Sequence, residues 1–239
     1  MIPLRDDIPR VHFPVAVVLV ITANVLLHLF VTSHPPYSRE AIYQVLGVVP
    51  ARYAFPDWAA LSGFPAMGVL PFFTYMFLHS GWWHLIMNMW MLWIFADNIE
   101  DVMGPGRFLV FYLLCGLAAL CTHMFFNMEA TAPIIGASGA IAGVMGAYVM
   151  LYPRGKVLTF IPIIIIPYIV RLPAWLFLGF WFLTQVFAGL VEGLGAPVQG
   201  IAWWAHVGGF LAGMLLVRRF MRPERCTYCE YKGPDFRFS

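Results

Sequence analysis

The sequence is poor in charge. Asp, Glu, Lys and Arg together make up 11% of its 239 residues, whereas a soluble domain carries roughly a quarter. With 61% hydrophobic residues and a mean hydropathy of +0.78, the chain is expected to be an integral membrane protein with no sizeable soluble domain. Cysteine is scarce too. Two of the four, Cys115 and Cys121, lie in an apolar run; the others form a lone CxxC, Cys226 to Cys229. That pair lacks the second pair that would make a zinc knuckle specific, and it reads as a reduced cytosolic tail. No internal repeat is visible, which argues against transporter folds built from duplicated halves. No A-x-A-like cleavage site closes the first apolar run, so that run reads as a span and not as a signal peptide.

What is present is a series of long apolar segments. Six are expected to span the membrane, at about 13–33, 82–99, 106–128, 138–152, 173–191 and 203–220. The stretch "VLTFIPIIIIPYIV", Val157 to Val170, is apolar but fourteen residues long and interrupted by Pro162 and Pro167. It reads as an interfacial segment at the membrane face. Basic residues test the topology. Six spans put Arg5, Arg10, Arg107, Arg154, Lys156, Arg171, Arg218, Arg219, Arg222, Arg225, Lys232 and Arg237 on one side, and only Arg39 and Arg52 on the other. An excess of Lys and Arg marks the cytoplasmic side, so both termini are expected there. A seventh span would strand the basic tail outside. The expected organisation is a cytoplasmic N-terminal segment (1–12), a six-helix membrane core (13–220) and a basic cytoplasmic tail (221–239). The core includes a long, Pro-rich first external loop at about 34–81, expected to hold short helices.

Polar residues inside membrane segments are costly, and each raises a functional question. His84 and Asn88 lie in "HSGWWHLIMNMW", Ser138 in "GASGA" and His206 in "WWAHVGGFLAG". Spans two, four and six all begin at the outer surface, which brings His84, Ser138 and His206 to one layer within a helical turn or two. Small residues four apart, Gly139/Gly143 and Ala142/Gly146 in span four and Ala205/Gly209 and Gly209/Gly213 in span six, let these two helices approach closely. Taken singly, each polar residue has a structural reading: a serine that bonds to its own helix, a histidine anchored near the interface, a His–Asn pair bridging helices. Together at one depth they form a set that can do acyl transfer. A neutral imidazole takes the proton of a serine hydroxyl. The free backbone N–H groups at the start of a helix, with His84 and Asn88, supply donors for an oxyanion. No acid is placed to complete a triad. Glu40, Asp57, Glu129 and Glu192 lie in loops, and Asp97, Glu100 and Asp101 fall at the far end of span two. The expectation is a Ser–His dyad.

"FLHSGWWHLIMNMW", "GASGA" and "AHVGGFLAG", in this order and with "LPAWLFLGFWFLTQ" between the last two, resemble the rhomboid family of intramembrane serine proteases. The likeness runs from about Phe73 to Val217. It implies an all-α, six-helix rhomboid-like bundle, with Ser138 as nucleophile, His206 as its base, and His84 and Asn88 assisting the oxyanion. His79 has no catalytic role in this scheme. Two departures stand out. Ala142 occupies the position, four after the serine, where many relatives carry an aromatic that stacks on the histidine; Trp203 and Trp204 are the residues that could replace it. The first external loop also lacks a Trp-Arg pair seen in some bacterial members. The implied substrates are single-span or multi-span membrane proteins, cut in or next to their transmembrane segments. The implied location is a bacterial inner membrane with the active site near the outer face. No cofactor, metal or nucleic acid is expected. The alternatives are a non-catalytic relative that binds membrane clients, and a metal-dependent protease or channel using His79, His84 and His206. The latter lacks the HExxH pattern.

Overall fold

The computed structural model describes residues 1–65, 68–163, 166–194 and 200–230. Its order along the chain is β1 (Ile2–Arg5), α1 (Val15–Thr32), four short helices α2 (Pro36–Leu46), α3 (Pro50–Ala54), α4 (Pro56–Leu61) and α5 (Pro71–Thr74), then α6 (Trp82–Met103), α7 (Pro105–Phe126) and α8 (Ser138–Leu151). Two strands follow, β2 (Lys156–Ile163) and β3 (Ile166–Pro173), and then α9 (Ala174–Gly193) and α10 (Trp203–Phe220). Proline opens five of these helices, α2, α3, α4, α5 and α7. Its fixed φ suits the first helical position, and the N–H it lacks would have had no partner there. The turn from α6 into α7 is a single residue, Gly104, held at φ +78°, a conformation that glycine adopts without strain.

α1, α7 and α9 are long and apolar enough to cross a membrane. α8 is shorter, 14 residues or about 21 Å. Every residue from Gly139 to Tyr148 in it is buried. A helix that is apolar all round and surrounded by others needs no lipid-matched length. Its closest neighbour is α10, and glycine makes that approach. A Cβ on Gly209 would collide with the Gly139 carbonyl, one on Gly213 with the Gly143 carbonyl, and one on Gly146 with the Phe210 carbonyl. The small-residue faces expected from sequence are therefore the α8–α10 interface.

The two ends of the bundle differ in chemistry. At one end, Glu100 accepts the Ala16 and Val17 amides (3.0 and 2.8 Å) and Asp101 accepts those of Val11 and His12 (2.6 and 2.7 Å). Buried carboxylates at a helix N-terminus satisfy orphan donors and meet the positive end of its dipole. Of the acids too distant for catalysis, Glu100 and Asp101 thus anchor the start of α1 and the chain leading into it. The chain after α10 returns to the same end, where the Arg222 amide donates to the Val102 carbonyl and Arg225 Nε to that of Asp101.

The structure corrects two expectations. The chain is not wholly α-helical: β1, β2 and β3 form an antiparallel sheet in that order, with Lys156 opposite Pro173 and Pro162 opposite Pro167. The segment 157–170, read as interfacial, is most of a hairpin. Its period of two is invisible in hydropathy because both faces carry apolar residues. The second correction concerns Cys226 and Cys229. They are joined in a disulfide, their Cα atoms 5.4 Å apart across a short turn, within the range a disulfide bridges. With both sulfurs so engaged, the reduced tail and the zinc knuckle are both set aside. The long first loop does hold short helices, as expected.

Candidate active site

Ser138 begins α8, where the backbone N–H groups have no partner within the helix. The chain leading to it is pinned on both sides: the Ile134 amide donates to the Val48 carbonyl (2.7 Å) and the Gly136 amide to the Tyr75 carbonyl (2.9 Å). His206 is in the first turn of α10 and is 8% exposed. The two side chains meet, with Ser138 Oγ 2.8 Å from His206 Nε2.

The other ring nitrogen shows which tautomer this contact uses. Nδ1 of His206 lies 2.8 Å from Gln185 Oε1. The Gln185 amide is oriented by its own nitrogen, which donates to the Trp181 carbonyl (3.1 Å) and to Thr184 Oγ1 (2.9 Å). Oε1 can only accept, so Nδ1 carries the hydrogen, and Nε2 is left as the acceptor of the serine O–H. Gln185 lies on α9 and is 5% exposed. Gln185 carries no charge, so nothing in the sequence marks it as the partner of His206, although it is the last residue of "LPAWLFLGFWFLTQ". The aromatic surroundings of His206 are also partly new. Trp181 of α9 tilts against the ring at 5.7 Å and Trp203 meets it edge-on at 6.2 Å, whereas Trp204 stacks on Phe126.

His84 and Asn88 lie one turn apart on α6 and approach Gly136, two residues before Ser138. A Cβ at Gly136 would stand 2.7 Å from His84 Nε2 and 3.8 Å from Asn88 Nδ2, and its φ of +123° also favours glycine. The first glycine of "GASGA" is therefore a place where the backbone leaves room for His84 and Asn88. His84 Nδ1 is 3.2 Å from Ser80 Oγ. Asn88 Nδ2 is buried and has no partner among the described residues. His79 is buried with its ring edge-on to His84 at 4.9 Å. The four residues singled out from sequence thus gather at one end of the bundle: Ser138 and His206 in contact, and His84 and Asn88 beside Gly136, two residues before the start of α8. Among the described residues, no group of three or more His, Cys, Asp or Glu could hold a metal ion.

A family model of the rhomboid domain matches residues 67–223, about two thirds of the chain. The chain belongs to the rhomboid family. It is 34% identical over 149 residues to the rhomboid protease GluP of Bacillus subtilis, covering 62% of this chain and 25% of that protein. It is 30% identical over 143 residues to the mitochondrial rhomboid protein 1 of Saccharomyces cerevisiae, covering 58% of this chain and 38% of the relative. A match to the RHOMBOID-like protein 1 of Arabidopsis thaliana covers 94% of this chain and 58% of the relative, at 26% identity. The chain thus spans a quarter to two fifths of the length of the first two relatives. The family and the apolar helices make this rhomboid an integral membrane protein. All four candidate residues, and Gln185, fall within the rhomboid domain.

Proposed function

We propose that this rhomboid is an intramembrane serine endopeptidase, hydrolysing peptide bonds in or next to the transmembrane segments of other membrane proteins. The observation that carries the reading is the chain of contacts Ser138–His206–Gln185. Ser138 Oγ attacks the scissile carbonyl carbon while its proton passes to His206 Nε2. The tetrahedral oxyanion is met by the free amides at the start of α8, the positive end of that helix, and side-chain donors of His84 and Asn88. His206 then gives the proton to the leaving amine, and the acyl-serine remains. A water molecule, deprotonated by His206, releases the acid and restores the hydroxyl. Gln185 accepts from Nδ1 throughout and keeps Nε2 facing the serine.

The topology that suits this reading has six spans, α1, α6, α7, α8, α9 and α10, with both termini cytoplasmic and Ser138 near the outer face. The twelve-to-two distribution of basic residues supports it. Residues 1–12 then form a cytoplasmic segment, 13–220 the membrane core and 221–239 a basic tail, and a bacterial inner membrane is the proposed location. Because His206 must be neutral to accept the proton, cleavage falls as acid protonates it. The test is cleavage of a model single-span substrate in proteoliposomes. Ser138→Ala is expected to abolish it, and normal turnover by that variant would overturn the proposal. In that event the chain binds clients without cutting them.

A further inference from the structure

The three-stranded sheet stands along α6, and hydrogen bonds set its height. Asp101 holds the amides of Val11 and His12, Asn98 Nδ2 donates to the Ile8 carbonyl (3.2 Å), and Trp90 Nε1 donates to the Pro3 carbonyl (2.7 Å). From Asp101 to Trp90 is about 16 Å along the helix. The N-terminal chain therefore climbs from the end of α6 opposite Ser138 to near its middle; in the proposed topology it enters from the cytoplasmic side and the start of β1 reaches beside the membrane core.

The register divides the sheet into two faces. Val157 and Thr159 of β2 are fully buried, on the inward face. Lys156, Leu158 and Phe160 alternate with them and face outward. Directly opposite residues share a face, so Arg171 joins Leu158, and Ile2 and Ile169 join Phe160. The register of β1 shifts between Pro3, opposite Thr159, and Arg5, opposite Leu158. That irregularity turns Arg5 to the outward face, beside Arg171 and Lys156. The outward face is thus banded. Ile2, Phe160 and Ile169 form an apolar row nearer the middle of α6. Arg5, Arg171 and Lys156 form a cationic row nearer its end.

Below the apolar row is a cavity of about 370 Å³ lined by Arg5, Asp6, Asp7, Lys156 and Arg171, among others. Its carboxylates have protein donors: Tyr148 Oη to Asp6 (2.6 Å) and the Lys156 amide to Asp7 (2.7 Å). The three cationic side chains have no hydrogen bond or ion pair among the described residues. We propose that this cavity binds the phosphodiester headgroup of an anionic phospholipid, from the leaflet at the end of the bundle opposite Ser138. The cations take the phosphate, and the acyl chains run along Ile2, Phe160 and Ile169. The adjoining apolar row favours a lipid over a soluble phosphate, because only a lipid carries acyl chains from the headgroup level into the hydrocarbon. The proposal is independent of proteolysis.

The test titrates the full chain in detergent with short-chain phosphatidylglycerol, phosphatidylcholine or glycerol 3-phosphate, read as bound lipid by native mass spectrometry. Phosphatidylglycerol is expected to bind at least tenfold more tightly than phosphatidylcholine, and glycerol 3-phosphate at the same concentration is expected not to displace it. Near an anionic surface each cation contributes about a factor of five, so R5Q/K156Q/R171Q loses roughly 100-fold in affinity. Arg219→Gln, which removes one positive charge at the same end but off the sheet, as Arg171→Gln removes one on it, leaves binding unchanged. Should the triple variant fold poorly, Arg171→Gln loses about fivefold, and Arg171→Lys largely retains binding. Equal affinity in wild type and the Gln variants would overturn the proposal. Displacement by glycerol 3-phosphate would overturn the assignment to a lipid.

Discussion

At the scale of single residues, the site depends on which nitrogen of His206 carries hydrogen, and Gln185 decides this. Replacing Gln185 with Ala removes the acceptor for Nδ1 and frees the ring to turn or change tautomer. We expect kcat to fall by about 10- to 100-fold, in line with other partners that orient a functional histidine, with KM little changed. Steady-state cleavage kinetics check this, and an unchanged kcat would remove Gln185 from the account. That Ser138 would lie beside His206, with His84 near by, could be expected from sequence because each is a polar residue in an apolar segment at a common depth; Asn88 follows His84 by one turn, and the roles of all four belong to the proposal. Gln185 was not legible from sequence, since an amide in a helix has many bland explanations and only the fold brings α9 beside α10. Arg52 is another such case. From sequence it is one of two basic residues outside the membrane. In the structure it is largely buried, with its guanidinium over Phe64 and donating to the Pro65 carbonyl, so it secures the first loop from within.

At the scale of elements, two features can be tested separately. The α8–α10 contact places backbone against backbone, and no rotamer of a larger side chain relieves the clash. Gly213→Val is expected to cost on the order of 3 kcal/mol, the upper end of overpacking effects, and to lower the thermal midpoint in detergent; a midpoint equal to wild type would show that the helices have room to part. The second feature is the docking of β1. Burial pushes the Asp6 carboxyl up from its ordinary value near 3.8 to about 6, against the opposing hydrogen bond from Tyr148. The folded chain then holds a proton that the unfolded chain has lost between those values. Its stabilising effect is fully present below about 4, and is lost as pH rises through about 6. Protection of the β1 amides from hydrogen exchange, corrected for intrinsic rate, is expected to decline over that range in wild type and to be flat in Asp6→Asn. The helices at this scale were legible because long apolar runs bounded by Pro, Gly and Arg admit few alternatives. The sheet was not legible: Ile and Val runs next to proline fit an interfacial segment as well as a strand, and pairing with residues 2–5 is a long-range event that local hydropathy cannot register.

At the scale of the molecule, the bundle separates its tasks by end. One end holds Ser138, His206, His84 and Asn88 around the opening of α8. The other holds Glu100 and Asp101 against the start of α1, the disulfide-closed turn of the tail, and the cationic row of the sheet. The shortest of the long helices, α8, is central, and its glycines set the distance across which Ser138 meets His206. The central claim is that Ser138 is a nucleophile activated by that contact. It is tested most directly by labelling the protein in proteoliposomes with a serine-reactive fluorophosphonate and mapping the adduct by mass spectrometry. The account predicts one adduct, on Ser138, lost in His206→Ala although that variant keeps the serine. No adduct on Ser138, or labelling equal in wild type and His206→Ala, would contradict it.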